Sequence, residues 1–162
     1  MKRDPRLIRL SWDHHHGLVM ALRIARELPE AGDDGVERLY SDLLAFWSAG
    51  LLPHFRAEGE CLLARLVRHV PHDHESIERT NRDHLDMAAL VATMRDTRDP
   101  AERRSTLADF GLRLHDHIRW EERVLFEVTQ QQLDDAEMDA LGGEIEERLP
   151  NVEAAPALPD VD

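Results

Sequence analysis

The sequence is poor in the residues that crosslink small domains. Its single cysteine, Cys61, excludes an intrachain disulfide and any site built from several thiolates, such as a Cys-based zinc finger or an iron–sulfur cluster. Aromatic residues make up 5% of the chain, and no apolar run is long enough to span a bilayer. Residues 1–5 are not followed by the apolar segment of a secretory signal. We therefore expect a cytoplasmic protein with no membrane partner.

Positive charge is also scarce. Twenty Lys and Arg residues face 33 Asp and Glu residues, which gives a formal net charge of −13. This balance argues against nucleic acid and anionic lipid as partners. The length of 162 residues, with 42% hydrophobic and 33% charged residues, fits one soluble domain with a substantial core. Leu, Ala, Arg and Glu dominate, and these residues favour helices.

Apolar residues recur at helical spacing in four long segments, which are separated by turn signals rich in Gly, Pro and Asp: 5–29, 36–69, 75–97 and 101–132. Gly50 and Pro53 predict a kink in the second segment, one turn before His54. Asp134 is expected to cap a shorter fifth helix that ends near Leu149.

These segments predict an all-α fold, an up-down-up-down antiparallel four-helix bundle with a short extra C-terminal helix. The bundle domain is expected to cover residues 1–149. Residues 150–162 contain prolines and acids and are expected to form a flexible acidic tail.

Ten histidines are more than a chain of this length usually contains. Four of them are spaced so that the midpoints between neighbours fall at the predicted turns, which places them at about the same height in an up-down bundle: His15, His54, His84 and His117. Glu58 and Glu121 follow the second and the fourth of these histidines by four residues. Positions i and i+4 share a helix face, so each His-x-x-x-Glu pair can direct an imidazole and a carboxylate at one point.

This pattern predicts a metal site inside the bundle. Burying Glu58 and Glu121 without partners is costly, and a metal ion removes that cost. Four histidines and two glutamates are too many for one tetrahedral zinc. They suit two ions of the Fe(II) or Mn(II) type, with the carboxylates bridging and the imidazoles holding each ion. We find no separate catalytic constellation and no nucleotide-binding motif.

The first ligand has two candidates, because His14 and His15 are adjacent and both continue apolar stripes. We prefer His15, since Leu18 and Leu22 frame it at positions +3 and +7, and His14 remains the alternative.

Several other residues have simpler interpretations. Glu60 and Glu122 either accept hydrogen bonds from metal ligands or face solvent, and solvent is favoured. Cys61 is expected to be a small buried apolar residue. His16 and His115 are expected to point away from the metal site.

Four strings of the sequence resemble the hemerythrin-like (HHE cation-binding) domain family: 13–18, 52–58, 81–84 and 117–126. The resemblance extends from about residue 7 to residue 132. It implies a four-helix bundle around a non-haem di-iron centre that is bridged by two carboxylates and an oxo or hydroxo group, with manganese or zinc as substitutes. The implied terminal ligands are His15 (or His14), His54, His84 and His117, and the implied bridges are Glu58 and Glu121.

The sequence departs from the family pattern at two positions. Ala88 stands where oxygen-carrying hemerythrins have a second histidine on the third helix, and Gly59 replaces a usual second glutamate. The resemblance therefore implies a protein that binds or senses a small molecule (O2, NO, peroxide or iron) in a redox or iron stress response.

Two alternatives to this function remain open. One is an enzyme that reduces peroxide or nitric oxide and takes electrons from an external redox partner protein. The other is a metal-free helical bundle with a structural or regulatory role. The sequence leaves open whether the protein is a monomer or a homodimer.

Overall fold

The computed structural model describes residues 3–149, and within this range all regular secondary structure is helical. The described part contains five helices: α1 (Ile8–Glu27), α2 (33–66), α3 (Glu75–Asp96), α4 (100–132) and α5 (Asp135–Arg148). Short 3-10 turns flank α1 at Pro5–Leu7 and Leu28–Glu30. The all-α prediction is confirmed, whereas the up-down order of the four long helices stays a prediction. The predicted tail, 150–162, lies outside the described residues.

The helix α2 is continuous but irregular. Its stretches are Asp33–Phe46, Trp47–Leu51, Leu52–Ala57, Glu58–Leu63 and Ala64–Leu66, and the second and fourth are π-helical. The first π-helical turn lies where the kink was expected, and the N–H of Leu52 donates to the carbonyl of Trp47 five residues back. Pro53 lacks an N–H and its ring crowds the preceding turn, so a wider turn at this point accommodates it.

The helix α4 has a similar irregularity. It consists of Pro100–Trp120, a π-helical turn Glu121–Leu125, and Phe126–Gln132. One π-helical turn therefore begins at Glu58 and another at Glu121, the two glutamates of the His-x-x-x-Glu pairs. Wide turns of this kind often occur at functional sites.

Side chains cap the N-termini of three helices. The carboxylate of Asp99 accepts from Ala101 N at the start of α4, and the carboxylate of Asp134 accepts from Glu137 N at the start of α5. His74 Nδ1 accepts from Ser76 N at the start of α3. These caps satisfy N–H groups that have no partner inside the helix, and the cap at Asp134 is the predicted one.

The core consists of two apolar clusters with the buried histidines and glutamates between them. Along α1, Leu10 belongs to the first cluster and Ala21 to the second, and His14 lies between them. Along α3, Ile77 and Met87 belong to different clusters and flank His84 in the same way. The polar residues therefore form a layer in the middle of the bundle. None of the described helices is both long and apolar enough to cross a bilayer.

The helices α1 and α4 approach closely at Gly17. A Cβ atom on Gly17 would lie 2.5 Å from Cδ1 of Ile118, and one on Gly111 would lie 3.1 Å from Cγ2 of Ile24. These glycines let α1 and α4 come close enough for His14 to contact Glu121.

Candidate metal centre

Six side chains from four helices converge in the polar layer. They form two groups whose ligand atoms lie within 4.8 Å of one another: His14, His54, Glu58 and Glu121 in the first group, and Glu58, His84, His117 and Glu121 in the second. Both glutamates belong to both groups. Five of these residues are fully or almost fully buried, and His84 is the least buried.

The distances between these atoms are those of ligands around a common ion. Glu58 Oε1 lies 3.2 Å from His54 Nε2, and Glu58 Oε2 lies 3.2 Å from His84 Nε2. Glu121 Oε2 lies 3.1 Å from His14 Nε2 and 3.2 Å from His117 Nε2. Two ligand atoms about 2.1 Å from one ion, at right angles to each other, are about 3 Å apart. The residues therefore fit a metal, and Glu58 directs one oxygen at each histidine pair.

The inward-facing atoms lack conventional partners. Within residues 3–149, none of the following buried atoms has a hydrogen-bond partner: Nε2 of His14, His54, His84 and His117, and both carboxylate oxygens of Glu58 and Glu121. Buried polar atoms in native proteins are almost always hydrogen-bonded. A bound cation would satisfy all eight of these atoms, which face one another.

The structure corrects the choice of the first histidine. His15 is exposed and lies outside both groups, whereas His14 is 3% exposed and contacts Glu121. The apolar stripe used to choose His15 was misleading, because Leu22 is itself 44% exposed. The inward stripe of α1 passes instead through Leu10, His14 and Gly17.

Carboxylates also contact the outer ring nitrogens of three histidines. Glu122 Oε1 accepts a hydrogen bond of 2.7 Å from Nδ1 of His14, and Ser11 donates a second one to the same oxygen. Because a carboxylate can only accept, a neutral His14 carries its proton on Nδ1, which leaves the lone pair of Nε2 facing the centre for a metal ion. The expectation that Glu122 faces solvent was therefore wrong. Glu60, by contrast, is exposed and pairs with Arg148.

Two aspartates make the corresponding contacts with His54 and His117. Asp13 Oδ2 lies 3.3 Å from His54 Nδ1, and Asp83 Oδ2 lies 3.4 Å from His117 Nδ1. Neither aspartate was predicted from the sequence. The available signal was their position, since Asp13 precedes His14 and Asp83 precedes His84.

Electrostatic interactions within the site change several pKa values. Burial lowers the pKa of His14, but the carboxylates of Glu121, Glu122 and Glu58 outweigh this effect and raise it well above its usual value. Burial likewise lowers the pKa of His54, and Glu58 together with Asp13 raises it to about 9. In the metal-free protein these imidazoles therefore carry protons that neutralise the buried carboxylates.

The acids respond in the opposite direction. Burial raises the pKa of Glu58, yet the neighbouring charge of His54 and contacts from His14 and His84 bring it well below its usual value. Burial also raises the pKa of Glu122, and the hydrogen bond from His14 brings it down to about 2. The carboxylate of Glu58 is therefore ionised at neutral pH, as a metal ligand must be, and so is that of Glu122.

Aromatic rings enclose the histidines, but unequally. The ring of Phe126 stacks on His14 with centroids 5.2 Å apart, and the ring of Phe55 stacks on His84 with centroids 3.8 Å apart. The His84 side chain is 13% exposed, whereas those of His14, His54 and His117 are at most 4% exposed. Solvent therefore approaches the centre most closely at His84.

The remaining sequence candidates lie away from the centre. Cys61 is fully buried in the first apolar cluster, as expected for a small apolar residue. His115 is exposed and contacts Asp116. His16 contacts the ring of His15, which itself lies outside both groups.

Comparison with known proteins agrees with the chemistry of the site. A search of curated proteins and a search of solved structures each found no match. The family model described as "Hemerythrin HHE cation binding domain" matches residues 6–155, which include both groups of candidate ligands. The chain therefore belongs to the hemerythrin HHE cation-binding domain family.

Proposed function

We propose that the protein binds two iron ions in its polar layer and uses them to bind or sense a small molecule (O2, NO, peroxide or iron itself) in a redox or iron stress response. The observation that supports this most directly is the pair of four-residue groups that share Glu58 and Glu121. Mixed imidazole and carboxylate ligands suit iron or manganese, and neither group contains the thiolates that soft metals prefer.

Each ion has a defined set of proposed ligands. His14 and His54 would hold the first ion, His84 and His117 would hold the second, and Glu58 and Glu121, which belong to both groups, would contribute to both. Bound iron would supply redox chemistry and coordination positions for a small ligand. The chain itself orients the imidazoles through their outer contacts and excludes bulk water by burial.

The route for a small ligand is proposed to pass His84. This side chain is the least enclosed of the four histidines, and the ring of Phe55 lies flat against it. An open groove of about 600 Å³ between α3 and α4 also reaches His117 and Asp83 from outside. Because the His84 side chain is only 13% exposed, the last step of this route suits small diatomic molecules or peroxide.

Metal content is the first test. The protein would be reconstituted anaerobically with ferrous iron, and the metal per chain measured by plasma mass spectrometry, followed by a near-ultraviolet spectrum after oxidation. We expect one ion per group and a new near-ultraviolet absorption. His54→Ala serves as the matched variant and should reduce the iron content. Wild-type protein that is folded but takes up no iron would disprove the proposal.

Binding and turnover are separated by a second experiment. A binding or sensing protein gives a stoichiometric spectral adduct with O2, NO or peroxide in stopped flow. A peroxide or NO reductase gives sustained turnover when an external electron donor is supplied, and Glu121→Ala abolishes it. We favour binding. Among the described residues, the candidate ligands and their outer carboxylates account for every buried histidine, aspartate and glutamate, so no further acid or base is buried beside the centre.

The orientation of the long helices belongs to the same proposal. We propose that α1 to α4 run up-down-up-down. The order of the two apolar clusters along the chain supports this, because α1 and α3 run from the first cluster to the second, whereas α2 and α4 run from the second cluster to the first. A crystal structure of the metal-loaded protein tests the topology and the ligand set together.

A further inference from the structure

Two buried hydroxyl groups in α3 have no partner. Ser76 and Thr80 are both 0% exposed, and within residues 3–149 neither Ser76 Oγ nor Thr80 Oγ1 has a hydrogen-bond partner. A hydroxyl removed from water without a replacement hydrogen bond destabilises the folded state. Both residues lie in a helix that also contributes a candidate metal ligand, His84.

Several other helical hydroxyls in the described part of the chain do have a hydrogen-bond partner. In the described part of the chain, four of them donate to the carbonyl four residues back, over 2.8 to 3.1 Å: Ser48, Thr93, Thr106 and Thr129. Thr129 is the best comparison, because it is as buried as Thr80 and donates to the carbonyl of Leu125. The conformation of Thr80 is therefore not a general consequence of burial in a helix.

The two hydroxyls are aligned with the metal centre. Ser76, Thr80 and His84 are spaced by four residues, so they occupy successive turns on one face of α3. The Cβ atoms of such neighbours are about 5–6 Å apart. One water molecule that makes two hydrogen bonds of about 2.8 Å spans about the same distance.

We propose that Ser76 and Thr80 hold ordered internal water, which extends the polar layer from His84 towards the start of α3. One water bridges the two hydroxyls, which lack hydrogen-bond partners within the described residues. Buried water typically makes two to four hydrogen bonds to such otherwise unsatisfied groups. The path ends beside His74, the half-buried cap of α3.

The water site exists whether or not metal is bound. Only a role of this water at the metal centre rests on the proposed function. The bridging water lies between one and two helical turns before His84 and carries the polar layer to the first turn of α3. It thus provides hydrogen-bond donors inside an otherwise apolar part of the core, where Ile77 belongs to the surrounding cluster.

A high-resolution crystal structure of the metal-free protein tests the site directly. We expect density for water within hydrogen-bond distance of both hydroxyls. Thr80→Val should remove that density, whereas Thr129→Val should leave it in place. A structure without water at Thr80, or with its hydroxyl rotated to bond the Ser76 carbonyl, would overturn the proposal.

A double-mutant cycle on the same metal-free protein provides an independent test. Urea unfolding would be measured for Ser76→Ala, Thr80→Val and the double variant. If the hydroxyls share a water, Thr80→Val lowers the unfolding midpoint, and the two changes are not additive. Thr80→Val combined with Thr129→Val is the control pair and should be additive. The proposal would be contradicted if Thr80→Val left the midpoint unchanged or raised it, and if the effects of Ser76→Ala and Thr80→Val were additive. The hydroxyls would then bind no water.

These outcomes do not depend on iron. A protein that rejects iron but retains water at Thr80 would disprove the proposed function and leave the water site intact. A protein that binds iron but holds no water at Thr80 would support the proposed function and disprove the water site.

Discussion

Asp13, the residue before His14 in α1, contacts the ring of His54 in α2, with 3.3 Å between Oδ2 and Nδ1. Asp83, the residue before His84 in α3, makes the corresponding contact of 3.4 Å with His117 in α4. Each Asp-His dipeptide thus supplies one candidate ligand and orients the second ligand of the same group. The site therefore has two halves of similar construction that meet at Glu58 and Glu121.

Asp13→Asn should weaken metal binding at the first group. The carboxylate fixes the orientation of His54 and increases its basicity, and loss of such an outer contact typically reduces metal affinity about 10–100-fold. Competition with a coloured chelator would measure the change. Asp42→Asn removes only a surface ion pair with Arg23 and is the control, with affinity expected to stay unchanged. Equal affinity in Asp13→Asn and wild type would show that the contact does not act on the metal.

His14→Ala and His15→Ala form a matched pair at adjacent positions. Because His14 contacts Glu121 and His15 is exposed, we expect His14→Ala to lose the ion of the first group and His15→Ala to retain full metal content. Plasma mass spectrometry measures both. The reverse pattern would restore the choice made from the sequence and refute the orientation of α1.

The all-α class and the bounds of the helices were largely predictable from the sequence because their signals are local. Helical periodicity, the caps and the turn residues determine where the helices begin and end, and the observed α3 differs from its predicted range by one residue. The outer carboxylates were harder to predict, because the contact between Asp13 and His54 depends on how two helices pack together. The π-helical turns at Glu58 and Glu121 were not predicted either, since they have no simple sequence signal.

The apolar pattern of α1 alone could not decide which of His14 and His15 faces the core. Residues on neighbouring helical positions differ by only about 100° around the helix axis. The exposed apolar residue Leu22 made the outer face of α1 resemble a core stripe. Close packing of α1 against α4 at Gly17, which only the three-dimensional structure reveals, determines which histidine is buried.

The stability of the metal-free protein should depend on pH in a defined way. The pKa of His54 rises from 6.5 to about 9 on folding, so its stabilising contribution is complete below pH 6.5 and is lost as pH rises through about 9. The pKa of Glu122 falls from 4.5 to about 2, so its contribution is present above pH 4.5 and is lost as pH falls towards 2. Urea unfolding should therefore give the highest midpoint between pH 4.5 and 6.5.

His54→Ala provides the control for the alkaline side of this profile, because it removes the group whose pKa is about 9. Its unfolding midpoint should fall less than that of wild type between pH 6.5 and 9. A wild-type midpoint that rises across this interval would contradict the assigned charges.

Metal removal should destabilise the protein, because the two groups of ligands are assembled only when α1 to α4 are folded. A ligand that binds only the folded state stabilises it by about 2.7 kcal/mol at a free concentration one hundred times its dissociation constant. We therefore expect chelation to lower the unfolding midpoint of the iron-loaded protein, and ferrous iron to restore it.

Two variants test which residues this response to chelation depends on. His84→Ala removes a ligand of the second group only, so it should retain part of the response. A variant with Glu58 and Glu121 both changed to Gln should lose the response entirely, because those carboxylates serve both groups. Equal responses in wild type and the double Gln variant would place the metal elsewhere in the chain.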